Sequence, residues 1–272
     1  MKKSLIMAAA LGLLGGCGDD GSNIDAQIEF RAEVNGVDFA CDELYEGLGA
    51  DESALRFADF RLYLHEVLLQ NEQGDWVPVE LEDANFQGDG VVLLDFEDCA
   101  EPETWTTVLG TLPAGDYEGL RFTMGIPFEL NHQNKDIAQP PLNLSTMHWN
   151  WQGGYKFLRV DSGVGSLEDA DWRMHLGSTD CDGDPISGGT TDCTNPNRVL
   201  VEFDGFRLEE NIVVADLARL VDGAELGSNQ DGTPVGCMAA PADSDCGPIF
   251  ANLGLPFGDA DAPSPQTFFT LE

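Results

Sequence analysis

The chain has 272 residues, of which 49 are acidic against 13 Lys and Arg, giving a formal net charge of −36. A surface this acidic repels phosphate backbones and anionic lipid, which excludes a nucleic-acid role and leaves most of the carboxylates as a solvated face. Hydrophobic residues make up 42% of the chain, enough for one substantial core.

At the N-terminus, Lys2 and Lys3 precede an apolar run from Leu5 to Leu14, of secretory length and too short to span a membrane. The run ends in L-L-G-G-C at Cys17, which resembles the bacterial lipoprotein signal, whose cysteine is lipidated and becomes the new N-terminus. An ordinary secretory leader with an incidental cysteine is the alternative. Residues 1–16 are read as signal peptide, 17–27 as a tether and 28–272 as a single domain. The mature protein is expected to be held by lipid alone on the outer membrane of a Gram-negative bacterium, facing the periplasm.

From Ala26 onward the pattern is β. A-Q-I-E-F-R-A-E-V-N-G-V-D-F-A-C alternates and contains Asn35-Gly36, a hairpin signal. The segment from Phe57 to Leu81 reads as strand, polar turn and second strand. G-V-V-L-L-D-F-E, Y-E-G-L-R-F-T-M-G-I-P, Y-K-F-L-R-V-D and R-V-L-V-E-F-D-G-F-R-L follow, separated by Gly, Pro, Asp and Asn. This rhythm predicts a mostly β fold, an antiparallel β-sandwich with long loops and disulfides. One short helix is predicted at Val214 to Val221, and the tail from Gly223 reads as loop.

Apart from Cys17, the cysteines are Cys41, Cys99, Cys181, Cys193, Cys237 and Cys246. An even number in an exported chain implies disulfides. Proximity favours Cys181–Cys193 and Cys237–Cys246, which leaves Cys41 with Cys99. A cysteine metal site is the weaker reading, because no C-x-x-C occurs.

The stretch from Pro140 to Asp161 holds His148 and two of the five tryptophans, Trp149 and Trp151. On a regular strand those two would share a side and His148 would point oppositely. Gly153-Gly154 then turns the chain or admits another backbone. His132 and His175 flank the stretch; His65 lies mid-strand in L-Y-L-H-E-V, where a polar residue needs a partner.

N-H…P-L-N-L-S-T-M-H-W-N-W-Q-G-G-Y-K-F-L-R-V-D, then M-H-L-G-S-T-D-C, resembles the MbnP-like family of exported copper-binding proteins. D-F-R-L-Y-L-H-E-V-L-L before it and G-C-M after it share the likeness, which runs from about Ile28 to Phe269. The resemblance implies a small β-rich protein that binds one copper ion without turnover of its own, serving copper acquisition or handling. It also implies a tryptophan oxidised to kynurenine by a partner dihaem enzyme of the peroxidase-like class.

The chemistry is coherent. Indole has an N–H donor and no lone pair for a metal. Opening its five-membered ring creates an aromatic amine beside a carbonyl, and so a nitrogen ligand. Neutral imidazoles suit copper in either Cu+ or Cu2+ form. The expected ligands are His132, His175 and His65, ranked above His148, together with Trp151. Trp151 is the favoured oxidation target and Trp149 the alternative, while Trp76, Trp105 and Trp172 are read as packing residues.

Asp180, Asp182 and Asp184 in D-C-D-G-D have alternate carboxylates suited to Ca2+, but Pro185 stands where an EF-hand needs glycine. A turn stapled by Cys181–Cys193 is the favoured reading there. Ser178 near His175 lacks a G-x-S-x-G elbow, so hydrolysis is unsupported. The rival functions are a calcium-dependent carbohydrate-binding or adhesin sandwich and a small copper redox enzyme.

Overall fold

The computed structural model describes residues 22–41, 43–97, 99, 104–163, 172–262 and 264–272. The signal peptide and Cys17 lie outside them. Residues 23–27, expected in the tether, belong instead to the strand Asn23–Val34, where they pair with Pro113 back to Leu109.

Two sheets face each other. The first runs, in order, Phe269–Leu271, Ile212–Asp216, Asn23–Val34, Thr107–Pro113 and Glu80–Leu81. The second runs Trp172–Leu176, Leu158–Ser162, Ser53–Asn71, Tyr117–Met124 and Val199–Asp204, with Val91–Asp95 also on the long strand Ser53–Asn71. Alternation decides what lies between them: Ile28 and Phe30 from the first sheet, Phe60, Leu62, Leu64 and Phe122 from the second, all buried. Phe122 meets Phe30 edge-on at 5.5 Å and Phe269 at 5.2 Å, so aromatic contacts close the sandwich.

The expected β-sandwich is therefore present; among the described residues its strands pair antiparallel except where Asn23–Val34 runs parallel to Ile212–Asp216, and an isolated parallel bridge joins Met174 to Cys237. Asn35 and Gly36, at φ 54° and 75°, make the tight hairpin into Val37–Asp38. Cys41–Cys99, Cys181–Cys193 and Cys237–Cys246 are all bonded.

The helix prediction needs correction. Val214 to Asp216 continues a strand, and only Leu217–Leu220 is helical, with the Asp216 side chain accepting from the Ala218 amide as its cap. Parallel pairing with Asn23–Val34 takes these valines and alanine into the sheet, where their apolar character serves equally well. The tail also holds a helix, Gly247–Asn252, and the strand Phe269–Leu271.

The long strand is buried on both faces, and this positions the site. Phe60, Leu62 and Leu64 face the sandwich core; Asp59, Tyr63 and His65 are also buried, on the outer face. Residues 126–157 cover that outer face: Tyr63 Oη donates to the Pro141 carbonyl at 2.9 Å and its ring meets Tyr155 edge-on at 6.1 Å.

Candidate metal centre

His65 sits just before a bulge at Glu66, whose φ is 51°. It is 4% exposed, and neither ring nitrogen has a hydrogen-bond partner. Burial pushes its pKa down to about 4; Glu66 opposes this and Arg198 adds to it. At neutral pH it is an uncharged imidazole with a free lone pair.

His132 ends the short helix Phe128–Asn131 and lies 4.8 Å from the Phe128 ring. Its Nε2 is 3.3 Å from Asn131 Nδ2 and 3.6 Å from Cys193 Sγ, while its buried Nδ1 has no partner. Burial and then Arg198 lower its pKa, opposed by a hydrogen bond to the Trp151 backbone and by Asp182. His132, Cys181 and Cys193 cluster as a metal site would, but both cysteines are spent in one disulfide and offer no thiolate.

His148 lies in the strand His148–Asn150, which pairs with Gly154–Tyr155. The turn between brings the Trp151 ring to 6.1 Å from the His148 ring, with Tyr155 at 5.0 Å on edge. The expectation that His148 points away from both tryptophans is therefore overturned. Its buried Nε2 has no partner, and burial, Lys135 and the neighbouring His132 hold it neutral.

Trp151 is half-buried and its indole faces Gly188. Trp149, by contrast, packs on Gly177, where an added Cβ would come within 2.6 Å of its ring. The two tryptophans do not act as a pair on one strand face. Of those read as packing residues, Trp172 is buried, Trp105 stacks on Phe86 at 5.5 Å, and Trp76 lies under the Arg121 guanidinium at 4.0 Å.

His175 is placed elsewhere. Its Nε2–H donates to Asp161 Oδ1 at 2.7 Å, within a buried network of Asp59, Arg61, Arg159 and Asp161. Burial lowers its pKa, and the groups acting on it are Asp161, Lys156 and Arg159, with none of the other histidines. His175 is thus held by Asp161 among Lys156 and Arg159, whereas His148 sits beside the Trp151 ring.

The acidic turn is also occupied by its own backbone. Asp182 accepts from the Thr191 amide at 2.6 Å and the Asp192 amide at 3.0 Å; Asp184 accepts from the Ile186 and Ser187 amides at 2.9 and 2.8 Å. Asp180 accepts from Asn195 Nδ2 at 3.0 Å. These carboxylates cap turns separately, and the calcium reading has no support among the described residues.

Asn131 ties His132 to the turn that follows Trp151. Wholly buried, it accepts from the Tyr155 amide at 2.9 Å and donates to the Gly153 carbonyl at 3.3 Å, beside His132. Gly154, at φ 77°, allows this approach: an added Cβ would lie 2.3 Å from the Asn131 carbonyl oxygen. Gly154→Ala is expected to cost about 3 kcal/mol or more, against about 1 kcal/mol for Gly36→Ala, where φ is 75° but nothing lies within 4 Å. Urea midpoints of the two variants check this; equal costs would contradict the contact.

The imidazoles suit copper in the chemistry of their atoms, although among the described residues the groups of three closely spaced donors are His132 with Cys181 and Cys193, and Cys41 with Glu97 and Cys99. Three neutral imidazoles each keep a buried ring nitrogen without a partner, and buried polar atoms are ordinarily paired unless something else satisfies them. The MbnP family model matches residues 23–239. This chain belongs to the MbnP family. The matched span contains His65, His132, His148 and Trp151. MbnP from Methylosinus trichosporium is similar in structure, at TM-score 0.80 and 28% identity, over 92% of this chain and 98% of that one. A comparison with curated protein sequences gave no match. The resemblance read from the sequence is borne out, and it places the chain in a family associated with copper handling.

Proposed function

We infer that this MbnP-family chain is a non-enzymatic copper-binding protein whose ligands are His65, His132 and His148, joined by Trp151 once that residue has been oxidised to kynurenine. The observation that carries this is the set of three neutral imidazoles with unpartnered buried nitrogens, one of them facing the Trp151 ring. An intact indole contributes no lone pair, so Trp151 in its encoded form can only pack. The ring-opened amine would add a nitrogen donor beside His148. Trp149, held against Gly177 and Gly153, is the poorer candidate.

The oxidant belongs to a partner dihaem enzyme of the peroxidase-like class, as the family resemblance implies. Export and lipid attachment at Cys17 would put both proteins in one compartment, on the periplasmic side of the outer membrane. Oxidation of the encoded chain is expected to be confined to one residue. Peptide mass mapping of protein from its native host is expected to place the small mass gain of kynurenine on Trp151, with the other tryptophans intact. A native protein that retains copper through dialysis yet carries five unmodified tryptophans would sink the kynurenine part of the reading.

A further inference from the structure

We propose that Cys181, Cys193 and His132 are a second, latent metal site, closed while the disulfide is intact. Reduction of Cys181–Cys193 by a dithiol frees two thiolates, which with the His132 imidazole hold a thiophilic d10 cation of the Zn2+ class. The proposal goes beyond the copper reading. It concerns the reduced protein and shares only His132 with that reading.

The donors already stand together. One ligand atom from each of the three residues lies within 4.8 Å of the other two, and His132 Nε2 is 3.6 Å from Cys193 Sγ. An imidazole nitrogen and a thiolate on one tetrahedral zinc ion are about 3.5 Å apart, since their bonds to it are about 2.0 and 2.3 Å. The nitrogen facing the sulfur is also the one free to bind. Asn131 Oδ1 accepts from the Tyr155 amide, which leaves Asn131 Nδ2 at 3.3 Å from His132 Nε2. An amide nitrogen only donates, so the lone pair is on Nε2, beside the sulfur. Two thiolates on one zinc ion are about 3.8 Å apart, a spacing that rotation of two directly opposed cysteine side chains supplies.

Reduction leaves the frame in place. Cys181 faces Cys193 across the paired strands Thr179–Cys181 and Cys193–Asn195. Past the sulfurs, the Asp182 amide donates to the Asp192 carbonyl at 3.0 Å, and the Asp182 carboxylate accepts from the Thr191 and Asp192 amides. Gln152 Nε2 donates to the Cys181 carbonyl at 2.7 Å, and Thr190 Oγ1 to the Gln152 carbonyl at 3.2 Å. These bonds hold the hairpin to the turn after Trp151 without help from the disulfide, so the freed thiols stay beside His132.

Cys181 is half-buried and lines, with Trp149, Gln152 and Met238, an open cleft of about 480 Å3 through which a small dithiol reaches it. A thiolate of the reagent attacks Cys181 Sγ, the S–S bond breaks, and Cys193 leaves as a thiolate next to His132. The second thiol of the reagent then displaces Cys181, so the reagent ends as a disulfide and the protein gains two electrons and two protons. Metal binding releases both thiol protons to solvent. Two thiolates and one imidazole suit Zn2+ and leave a fourth position for water. The other disulfides lack this setting. Cys237–Cys246 is wholly buried, and Cys41–Cys99 has the carboxylate of Glu97, not an imidazole, as its third donor.

The test is titration of the folded protein with Co2+, a spectroscopic stand-in for Zn2+, before and after treatment with a dithiol. Reduced wild type is expected to bind one Co2+ with near-ultraviolet thiolate-to-metal absorption, which Zn2+ then abolishes, while the oxidised protein shows no such absorption. Cys181→Ser/Cys193→Ser is expected to lose the absorption and Cys41→Ser/Cys99→Ser to keep it. Reduced His132→Ala is expected to bind Zn2+ at least about tenfold more weakly than reduced wild type. Alkylation mapping on wild type needs no variant to fold: Zn2+ is expected to protect Cys181 and Cys193 of the reduced protein from the reagent. A Cys181–Cys193 bond that resists the dithiol in the folded protein, or freed thiols alkylated equally with and without Zn2+, would overturn the proposal. Copper binding is measured on the oxidised protein, so its failure and the failure of this site are told apart.

Discussion

Replacing His132 with alanine is expected to weaken copper binding by at least about a hundredfold, with His65→Ala and His148→Ala close behind. The magnitude follows from ligand number. Losing a partner that only orients a metal ligand costs about 10- to 100-fold, so losing the donor itself costs no less. His132 is the firmest case, because Asn131, Phe128 and the Cys193 sulfur already fix its ring. His175→Ala is the control. Its ring serves Asp161 on the sheet, so copper affinity is expected to stay within about threefold of wild type while stability falls. Chelator competition on the four variants gives the order, and a His175→Ala protein as impaired as His132→Ala would contradict the assignment.

Asp161→Ala is expected to lower stability by about 3–5 kcal/mol, the largest single effect anticipated outside the sandwich core. Asp161 is 1% exposed and accepts from Arg159 Nε at 2.8 Å and His175 Nε2 at 2.7 Å. Alanine leaves Arg159, itself 3% exposed, with a single acidic neighbour, Asp59 at 3.2 Å. Asp161→Asn retains an acceptor oxygen and is expected to cost less. The pH dependence has a definite sign. Burial pushes the Asp161 carboxyl up, but His175 and Arg159 bring it down to about 2, below the ordinary value of 3.8. Its contribution is therefore complete above about pH 4 and is lost as the pH falls from there toward 2. Urea unfolding at pH 7 and pH 3 is expected to show a smaller gap between wild type and Asp161→Ala at the lower pH. A gap unchanged by acid would mean that the carboxylate charge is not what the network uses.

The sandwich was legible because its strands alternate and its turns are marked by residues such as Asn35-Gly36. Two disulfides were legible from proximity, and Cys41–Cys99 as the pair that remained. The helix at Val214 was misplaced because V-V-A-D-L satisfies a helical stripe and a buried strand equally, and a parallel partner nearly two hundred residues away decided between them. The strand Phe269–Leu271 escaped notice for a related reason, since three residues show no period and its partner is distant.

At the site, residue types were readable and directions were not. His148 was ranked last on the assumption of a regular strand through Trp151, whereas the strand stops at Asn150 and the following turn swings the indole toward His148. His175 was ranked high for its place at a strand end, and nothing local announced that Asp161, on the neighbouring strand, would take its ring.

The central claim is that copper binding depends on a chemically altered Trp151. Its most direct test is a copper competition titration of wild type, Trp151→Phe and Trp149→Phe, each before and after exposure to the dihaem enzyme. Phenylalanine keeps an aromatic ring in place, so all three proteins are expected to fold. Wild type and Trp149→Phe are expected to gain copper affinity, together with near-ultraviolet absorption from the new aryl ketone, while Trp151→Phe gains neither. A Trp151→Phe protein that binds copper as tightly as the enzyme-treated wild type would contradict the claim and leave the three histidines as the whole site.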